Sequence, residues 1–197
     1  EFLGDPPRKH STGTPDGEAA LERLESIVRD FNGADSSLES GRMRIERIDI
    51  PWSEMTWQTR GGAFPPPADP TLKNLLVTVK GTEPELDDGP ILVVTHHDSC
   101  VWGPGAGDAG SAVVALLEHL RIKLLIPPRR TTLYLFTDGE EYGLLGATAI
   151  AAMDQLPFDR PLFVLNFDAR GTRGGVPMFE THEGNYAWVA TLADDLA

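Results

Sequence analysis

An α/β fold built on a mainly parallel sheet is predicted by three features of this 197-residue chain. Short apolar runs alternate with segments whose apolar residues recur at helical spacing, which is the pattern of successive strand–helix units. The runs around Ile91-Leu92-Val93-Val94, Thr131–Phe136 and Pro161–Phe167 are apolar nearly throughout. The first of them reads as a buried strand, as parallel strands do. Directly after each of the three comes a histidine or a carboxylate, at the strand end where open α/β sheets bind ligands.

The length suits one domain able to bury a core. The 17 Lys and Arg against 30 Asp and Glu leave a net charge of −13, which argues against nucleic acid or an anionic membrane as partner. Cys100 is the single cysteine, so no intrachain disulfide forms. No apolar run approaches a membrane span, no signal-peptide pattern opens the chain, and no internal repeat is visible.

In order, residues 1–16 are rich in Pro, Gly, Thr and charge and read as an extended arm. Thr14-Pro15 is a helix start, with Thr as N-cap and Pro at the first helical position. Leu21, Leu24, Ile27, Val28 and Phe31 continue it as an amphipathic helix to about Asn32-Gly33. Residues 34–42 read as a polar loop, and Met43, Ile45, Ile48 and Ile50 as a strand. From Pro51 to Pro70 the prolines and Gly61-Gly62 indicate a loop or irregular hairpin. Strands follow over Asn74–Val79 and about 90–95. A helix over Ala109–Leu125 has Val113, Leu116, Leu117, Leu120 and Leu124 on one face and is stopped by Pro127-Pro128. After the strand Thr131–Phe136 come a helix over Tyr142–Met153 and the strand Pro161–Phe167. Val176–Thr181 is a candidate strand and Asn185–Leu196 a helix.

The chemistry concentrates at three strand ends. His96 and Asp98 follow the first, Asp138, Glu140 and Glu141 the second, and Asp168 the third; Asp108 lies in the loop leaving the first. Parallel strands bring these groups to one edge. Singly, each has a plainer reading: a structural histidine, a helix cap, a solvated acidic pair. Together, so many carboxylates at one partly buried edge repel one another unless a cation joins them. Imidazole with carboxylates and no thiolate cluster suits zinc, ahead of manganese or cobalt.

Gly105-x-Gly107-x-x-Gly110 matches a dinucleotide fingerprint, but it starts about nine residues after the strand and places Asp108 where pyrophosphate would sit. The glycines instead let the backbone bend so that Asp108 reaches the metal. No Gly-x-Ser-x-Gly elbow is present. Cys100 reads as a small buried residue near the site, Trp102 as a pocket wall or loop packing, and His10, His119 and His182 as surface or capping residues.

The ordered stretches His96-His97-Asp98, Gly105-Ala106-Gly107-Asp108, Asp138-Gly139-Glu140-Glu141-Tyr142-Gly143-Leu144-Leu145-Gly146 and Asn166-Phe167-Asp168 resemble the co-catalytic di-zinc aminopeptidases, family twenty-eight of the metallopeptidases. Asp168-Ala169-Arg170-Gly171, Met178-Phe179-Glu180 and His10-Ser11-Thr12-Gly13-Thr14 resemble its membrane-anchored, extracytoplasmic branch. The resemblance implies a three-layer α/β/α fold of the phosphorylase/hydrolase type, with 1–16 as arm and 17–197 as a zinc peptidase catalytic domain. It implies two zinc ions bridged by Asp108, with His96 and Asp168 on one and Glu141 on the other. Glu140 is then the general base toward the metal-bridging water, and Asp98 orients His96. The implied substrate is the N-terminus of a peptide or protein, and the implied location is extracytoplasmic or secreted.

Two positions depart from the family pattern. Ala109 stands where Asn or Asp is usual, and His97 where an aromatic is usual. Family members also carry a further zinc-binding His downstream, which this chain does not reach. The expectation is therefore a catalytic domain lacking its C-terminal part, with some metal binding and weak or no turnover. The alternatives are a glutaminyl-cyclase-like acyltransferase working with one zinc, or a non-catalytic receptor-like or scaffold ectodomain.

Overall fold

The computed structural model describes residues 7–31, 41–51, 71–86, 89–153, 155–157, 163–169 and 181–195. The elements are α1 (Pro15–Asp30), β1 (Met43–Pro51), β2 (Thr71–Val79), β3 (Ile91–His96), α2 (Ser111–Leu125), β4 (Thr132–Thr137), α3 (Leu145–Ala152), β5 (Phe163–Asn166) and α4 (Tyr186–Asp195). The sheet runs in the order β1-β2-β4-β3-β5. β3 pairs in parallel with β4 and β5, while β2 pairs antiparallel with both β1 and β4. The sheet is thus mixed, and its parallel part is the part that carries the predicted chemistry.

β4 lies inside the sheet, and all six of its residues are buried. Its alternation sorts the core into two layers. Tyr134 and Phe136 face the layer built with Leu21, Leu24 and Val28 of α1 and Val113, Leu116 and Leu120 of α2. Leu133 and Leu135 face the other layer, with Leu145, Ala149 and Ile150 of α3. Helices on both faces of one sheet make the expected three-layer α/β/α sandwich. Fully burying a side chain such as Phe136 contributes roughly 1.5–3 kcal/mol. The Tyr134 hydroxyl, carried into this layer, finds Nδ1 of His119 at 3.0 Å.

The helix starts are where sequence and structure part. α1 begins as expected: the Thr14 side chain accepts from the Gly17 N–H, and Pro15 opens the first turn. α2 begins at Ser111, because Ala106–Gly110 forms a wide turn in which Asp108 is extended at φ −121° and ψ 97°. α3 begins at Leu145 rather than Tyr142. The N–H groups of Glu140 and Glu141 are spent on Asp98, and Gly143 and Leu144 take positive φ. A helix cannot start inside a turn so committed. β5 ends at Asn166, one residue before the expected Phe167, and residues 161 and 162 of its run fall outside the described residues. Pro51 closes β1, whereas the loop or hairpin read over 52–70, the loop over 34–40 and most of the strand read over Val176–Thr181 fall outside the described residues.

Candidate metal centre

His96 is the last residue of β3 and is 3 % exposed. Its Nδ1 lies 3.0 Å from the Asp98 carbonyl oxygen, which can only accept, so Nδ1 carries a hydrogen and donates. The Asp98 carboxylate oxygen Oδ1 stands 3.4 Å from the same nitrogen. The ring is thereby fixed with Nε2 facing outward from the strand end. There Nε2 meets Asp108 Oδ1 at 3.0 Å, Asp168 Oδ1 at 3.3 Å and Glu140 Oε2 at 3.9 Å.

Each of these carboxylates arrives by a local structural device. Asp168 follows β5, the strand parallel to β3 on its far side from β4. Asp108 arrives through the wide turn, whose entry residue Gly105 sits at φ +63°. A Cβ on Gly105 would lie 2.7 Å from the Asp108 carbonyl and 2.8 Å from the Ser99 side chain, so this glycine is required by both conformation and space. The glycine-rich stretch is therefore a bend that delivers a carboxylate, not a phosphate cradle. The peptide bond between Asp108 and Ala109 is cis. Glu140 and Glu141 are held by their backbone: their N–H groups donate to Asp98 Oδ1 at 3.1 Å and Oδ2 at 3.3 Å. The Glu141 carboxylate then accepts the Cys100 N–H at 3.0 Å.

One ligand atom each from His96, Asp108 and Asp168 lies within 4.8 Å of the others, which makes these three the metal-competent group among the described residues. Burial would lower the His96 pKa, but Asp98 at its Nδ1, with Glu140 and Asp168, raises it to about 10. Burial first of all pushes Glu140 up to about 7; His96 works against this, and Asp168, Asp98 and Glu141 add to it. Glu141 is raised as well, by burial and then by Asp108. The carboxylates gathered here favour positive charge at His96 Nε2. A divalent ion on Nε2 and the carboxylates meets the same need, and an imidazole–carboxylate donor set suits zinc.

The predicted residues His96, Asp98, Asp108, Glu140, Glu141 and Asp168 gather at this one edge. Asp138 does not join them: its carboxyl turns back to the Lys73 N–H and the Thr12 hydroxyl. His97 also turns away, giving its Nε2 hydrogen to the Lys73 carbonyl at 2.8 Å. Three readings need correction. His10 is not a surface residue but 2 % exposed, tied to Ser99 by backbone and side-chain bonds. Trp102 is 78 % exposed, against the reading of it as packing at the base of its loop. Cys100 is half-buried, and its backbone N–H is what touches the site.

Two residues at the site were missed. Asn74 is fully buried; its side chain donates to the Ile48 carbonyl and accepts the Asp138 N–H at 2.9 Å. An asparagine opening the apolar run Leu75-Leu76-Val77 was the available signal. Thr12 reaches both Asp98 and Asp138 from the arm; the resemblance over His10–Thr14 marks the stretch but not this role.

The family model described as Peptidase family M28 matches residues 74–197. The vacuolar membrane protease of Saccharomyces cerevisiae is 35 % identical over 169 residues, covering 85 % of this chain and 16 % of that protein. The protein of the same name from Kluyveromyces lactis is 36 % identical over 166 residues, covering 83 % of this chain and 17 % of its own length. This chain thus spans about a sixth of the relatives it matches. Among solved structures, the glutaminyl cyclase of Porphyromonas gingivalis aligns with a TM-score of 0.67 at 18 % identity, over 95 % of this chain and 65 % of that one. The LapA aminopeptidase of Legionella pneumophila aligns at 0.57 and 20 % identity, over 82 % of this chain and 38 % of its own. At these identities the structural likeness speaks for the fold alone.

Proposed function

This chain belongs to peptidase family M28, and on that premise we propose that it supplies catalytic-domain residues of a zinc-dependent aminopeptidase. In this reading residues 17–197 lie in the catalytic domain, with 1–16 as its N-terminal arm. The reaction is hydrolysis of the peptide bond after a free N-terminal residue. The observation that carries the reading is the convergence of His96 Nε2, Asp108 and Asp168 beside the Glu140 carboxylate.

Zinc, when bound, polarises a carbonyl oxygen and lowers the pKa of water. His96, Asp168, Asp108 and Glu141 would hold the metal, two ions in this reading. Glu140 is the general base: Oε2 takes a proton from the attacking water and returns it to the departing amine. A carboxyl whose pKa is raised to about 7 suits a group that both accepts and releases a proton near neutrality. Asp98 keeps the His96 ring in place through Nδ1 and fixes the Glu140–Glu141 turn through its N–H groups. A second zinc, when bound, would also take the free α-amine of a substrate, which supports exopeptidase action on peptide or protein N-termini.

No helix among the described residues is long and apolar enough to cross a membrane. The relatives' name, vacuolar membrane protease, supports an extracytoplasmic setting for this domain in a membrane-associated protein.

The test uses the full-length polypeptide, with zinc quantified after dialysis alongside three substrates. An amino-acyl chromogenic substrate should be hydrolysed, and its N-acetylated form should not. Conversion of an N-terminal Gln peptide without net hydrolysis would instead indicate a glutaminyl cyclase. Full zinc content with no turnover of any substrate would indicate a non-catalytic ectodomain.

A further inference from the structure

Asp138 is the buried carboxyl for which the chemistry above has no use. It follows β4 and is 4 % exposed. Oδ2 accepts the Lys73 N–H at 3.0 Å, and Oδ1 lies 2.8 Å from Thr12 Oγ1. The same Thr12 oxygen lies 3.2 Å from Asp98 Oδ2. A threonine hydroxyl has one hydrogen and two lone pairs. Two ionised carboxylates would compete for that single hydrogen, and the loser would face a bare oxygen in a buried site. Adding one proton removes the conflict, because each O···O contact then contains a hydrogen.

The partners decide where that proton sits. Asp98 also accepts the N–H groups of Glu140 and Glu141 and stands beside the His96 ring, so its negative charge is well supported. Asp138 has one backbone N–H. The other ionisable groups facing it are His97, whose Nε2 hydrogen goes to the Lys73 carbonyl, the Tyr142 phenol, and Lys73, whose ammonium lies 2.6 Å from Glu18. Leaving a carboxylate buried with so little compensation is strongly unfavourable. We propose that Asp138 is a neutral acid in the folded protein, and that the chain from Asp138 Oδ1–H through the Thr12 hydroxyl to Asp98 Oδ2 is a positioning device. Through it the N-terminal strap holds Asp98, and by way of Asp98 the His96 ring and the Glu140–Glu141 turn.

The position of the strap agrees with this. His10, Ser11 and Thr12 are each 3 % exposed or less, and a Cβ on Gly17 would lie 2.5 Å from the Ser11 carbonyl, so α1 packs hard against the strap. The Asp138 backbone is equally fixed. Its N–H is taken by Asn74, and a Cβ on Gly146 would lie 2.4 Å from its carbonyl oxygen. Burial pushes the Asp138 carboxyl up; His97 opposes this and the Asp98 charge adds to it.

The effect on turnover rests on the peptidase reading; the proton on Asp138 does not. Infrared difference spectra of the full-length polypeptide, parent minus Asp138→Asn at neutral pH, should show the carbonyl band of a protonated carboxylic acid. Thr12→Val and Thr12→Ser should shift that band, which assigns it even where Asp138→Asn folds poorly. In kinetics, Thr12→Val should lower kcat about tenfold with little change in KM, and Thr12→Ser should restore most of the loss. Asp138→Asn, whose amide donates to Thr12 and accepts from Lys73, should recover most of what Asp138→Ala loses. Absence of the band, or Asp138→Asn falling as far as Asp138→Ala with native circular dichroism, would overturn the proposal. An inactive parent would count against the peptidase reading alone, and the infrared arm would still decide this one.

Discussion

Glu18 and Glu25 on α1 and Glu140 and Glu141 after β4 are glutamates of similar burial with opposite electrostatics. Burial by itself would raise the first pair. Lys73, Arg47 and Arg29 outweigh it, at 2.6 Å from Glu18 for Lys73 Nζ, 2.6 Å from Glu25 for Arg47 Nε, and 2.5 Å from Glu25 for Arg29, so both carboxyls are held low. Burial raises the second pair too, and there the neighbouring acids reinforce it against His96. One region has its counter-charges built into the chain. The other gathers carboxylates around a single imidazole among the described residues, and that separates a candidate metal site from scaffold.

The comparison breaks most visibly at Glu140. Glu140→Gln keeps size and hydrogen-bonding capacity and removes the base. Turnover should fall by about 10²- to 10⁴-fold while zinc content stays at the parent level. Equal loss of zinc would make Glu140 a ligand instead. The next effect is on stability. Zinc at a hundredfold excess over its Kd should stabilise the folded protein by about 2.7 kcal/mol, and a chelator should reverse this. His96→Ala and Asp168→Asn should each remove that increment in a thermal scan; an undiminished shift would place the ion elsewhere.

The difference between the two regions also bears on what sequence reading can reach. Strands β3 and β4 were legible as largely apolar runs, and α2 as Val113, Leu116, Leu117 and Leu120 on one face, because burial imposes those periods directly; β5 is apolar as well, although Val164 is half exposed at the end of the described sheet. The gathering of His96, Asp108, Glu140 and Asp168 followed from parallel strands sharing an edge. The starts of α2 and α3 were not legible. There the backbone is bent by contacts made far along the chain, the Glu140 and Glu141 N–H groups to Asp98 and Gly105 against Ser99. Thr12 and His10 were hidden for the same reason: their partners Asp98, Asp138 and Ser99 are long-range, and a polar arm has no period to betray burial.

Acid titration sharpens the contrast, since the two regions respond with opposite sign. The pKa values of Glu18 and Glu25 are lowered on folding, so their contribution is present above the unfolded carboxylate pKa of about 4.3 and is lost as pH falls below it. Glu140 is raised to about 7, so in metal-free protein it disfavours the folded state above that pH and ceases to do so as pH falls toward about 4.3. His96 acts in the same direction: raised to about 10, its contribution is complete below about 6.5 and is lost as pH rises through 10. Metal-free protein should therefore gain stability from pH 9 to about 5 and lose it below about 4. Zinc should flatten the first limb and leave the second. Denaturant midpoints across pH, with and without zinc, read this out; a zinc-insensitive upper limb would mean that the site carboxylates are not the source.

The smallest effect belongs to the scaffold. Arg47 Nε and Nη1 reach Glu25 at 2.6 Å and Glu18 at 2.9 Å, joining β1 to α1 across the face of the sheet. Arg47→Met keeps most of the apolar stem and removes both ion pairs. These pairs are partly solvated, so the cost should be only about 1 kcal/mol, a fall in Tm of about 2–4 °C. The loss should shrink in high salt and disappear near pH 3, where the glutamates are neutral. Zinc content and the pH dependence of turnover should not move, because Lys73 still neutralises Glu18 and the Arg47 side chain itself pairs with Glu18 and Glu25, not with the residues around His96. A change in either would mean that α1 transmits to the metal edge through the strap, and the two regions would then have to be treated as one electrostatic unit.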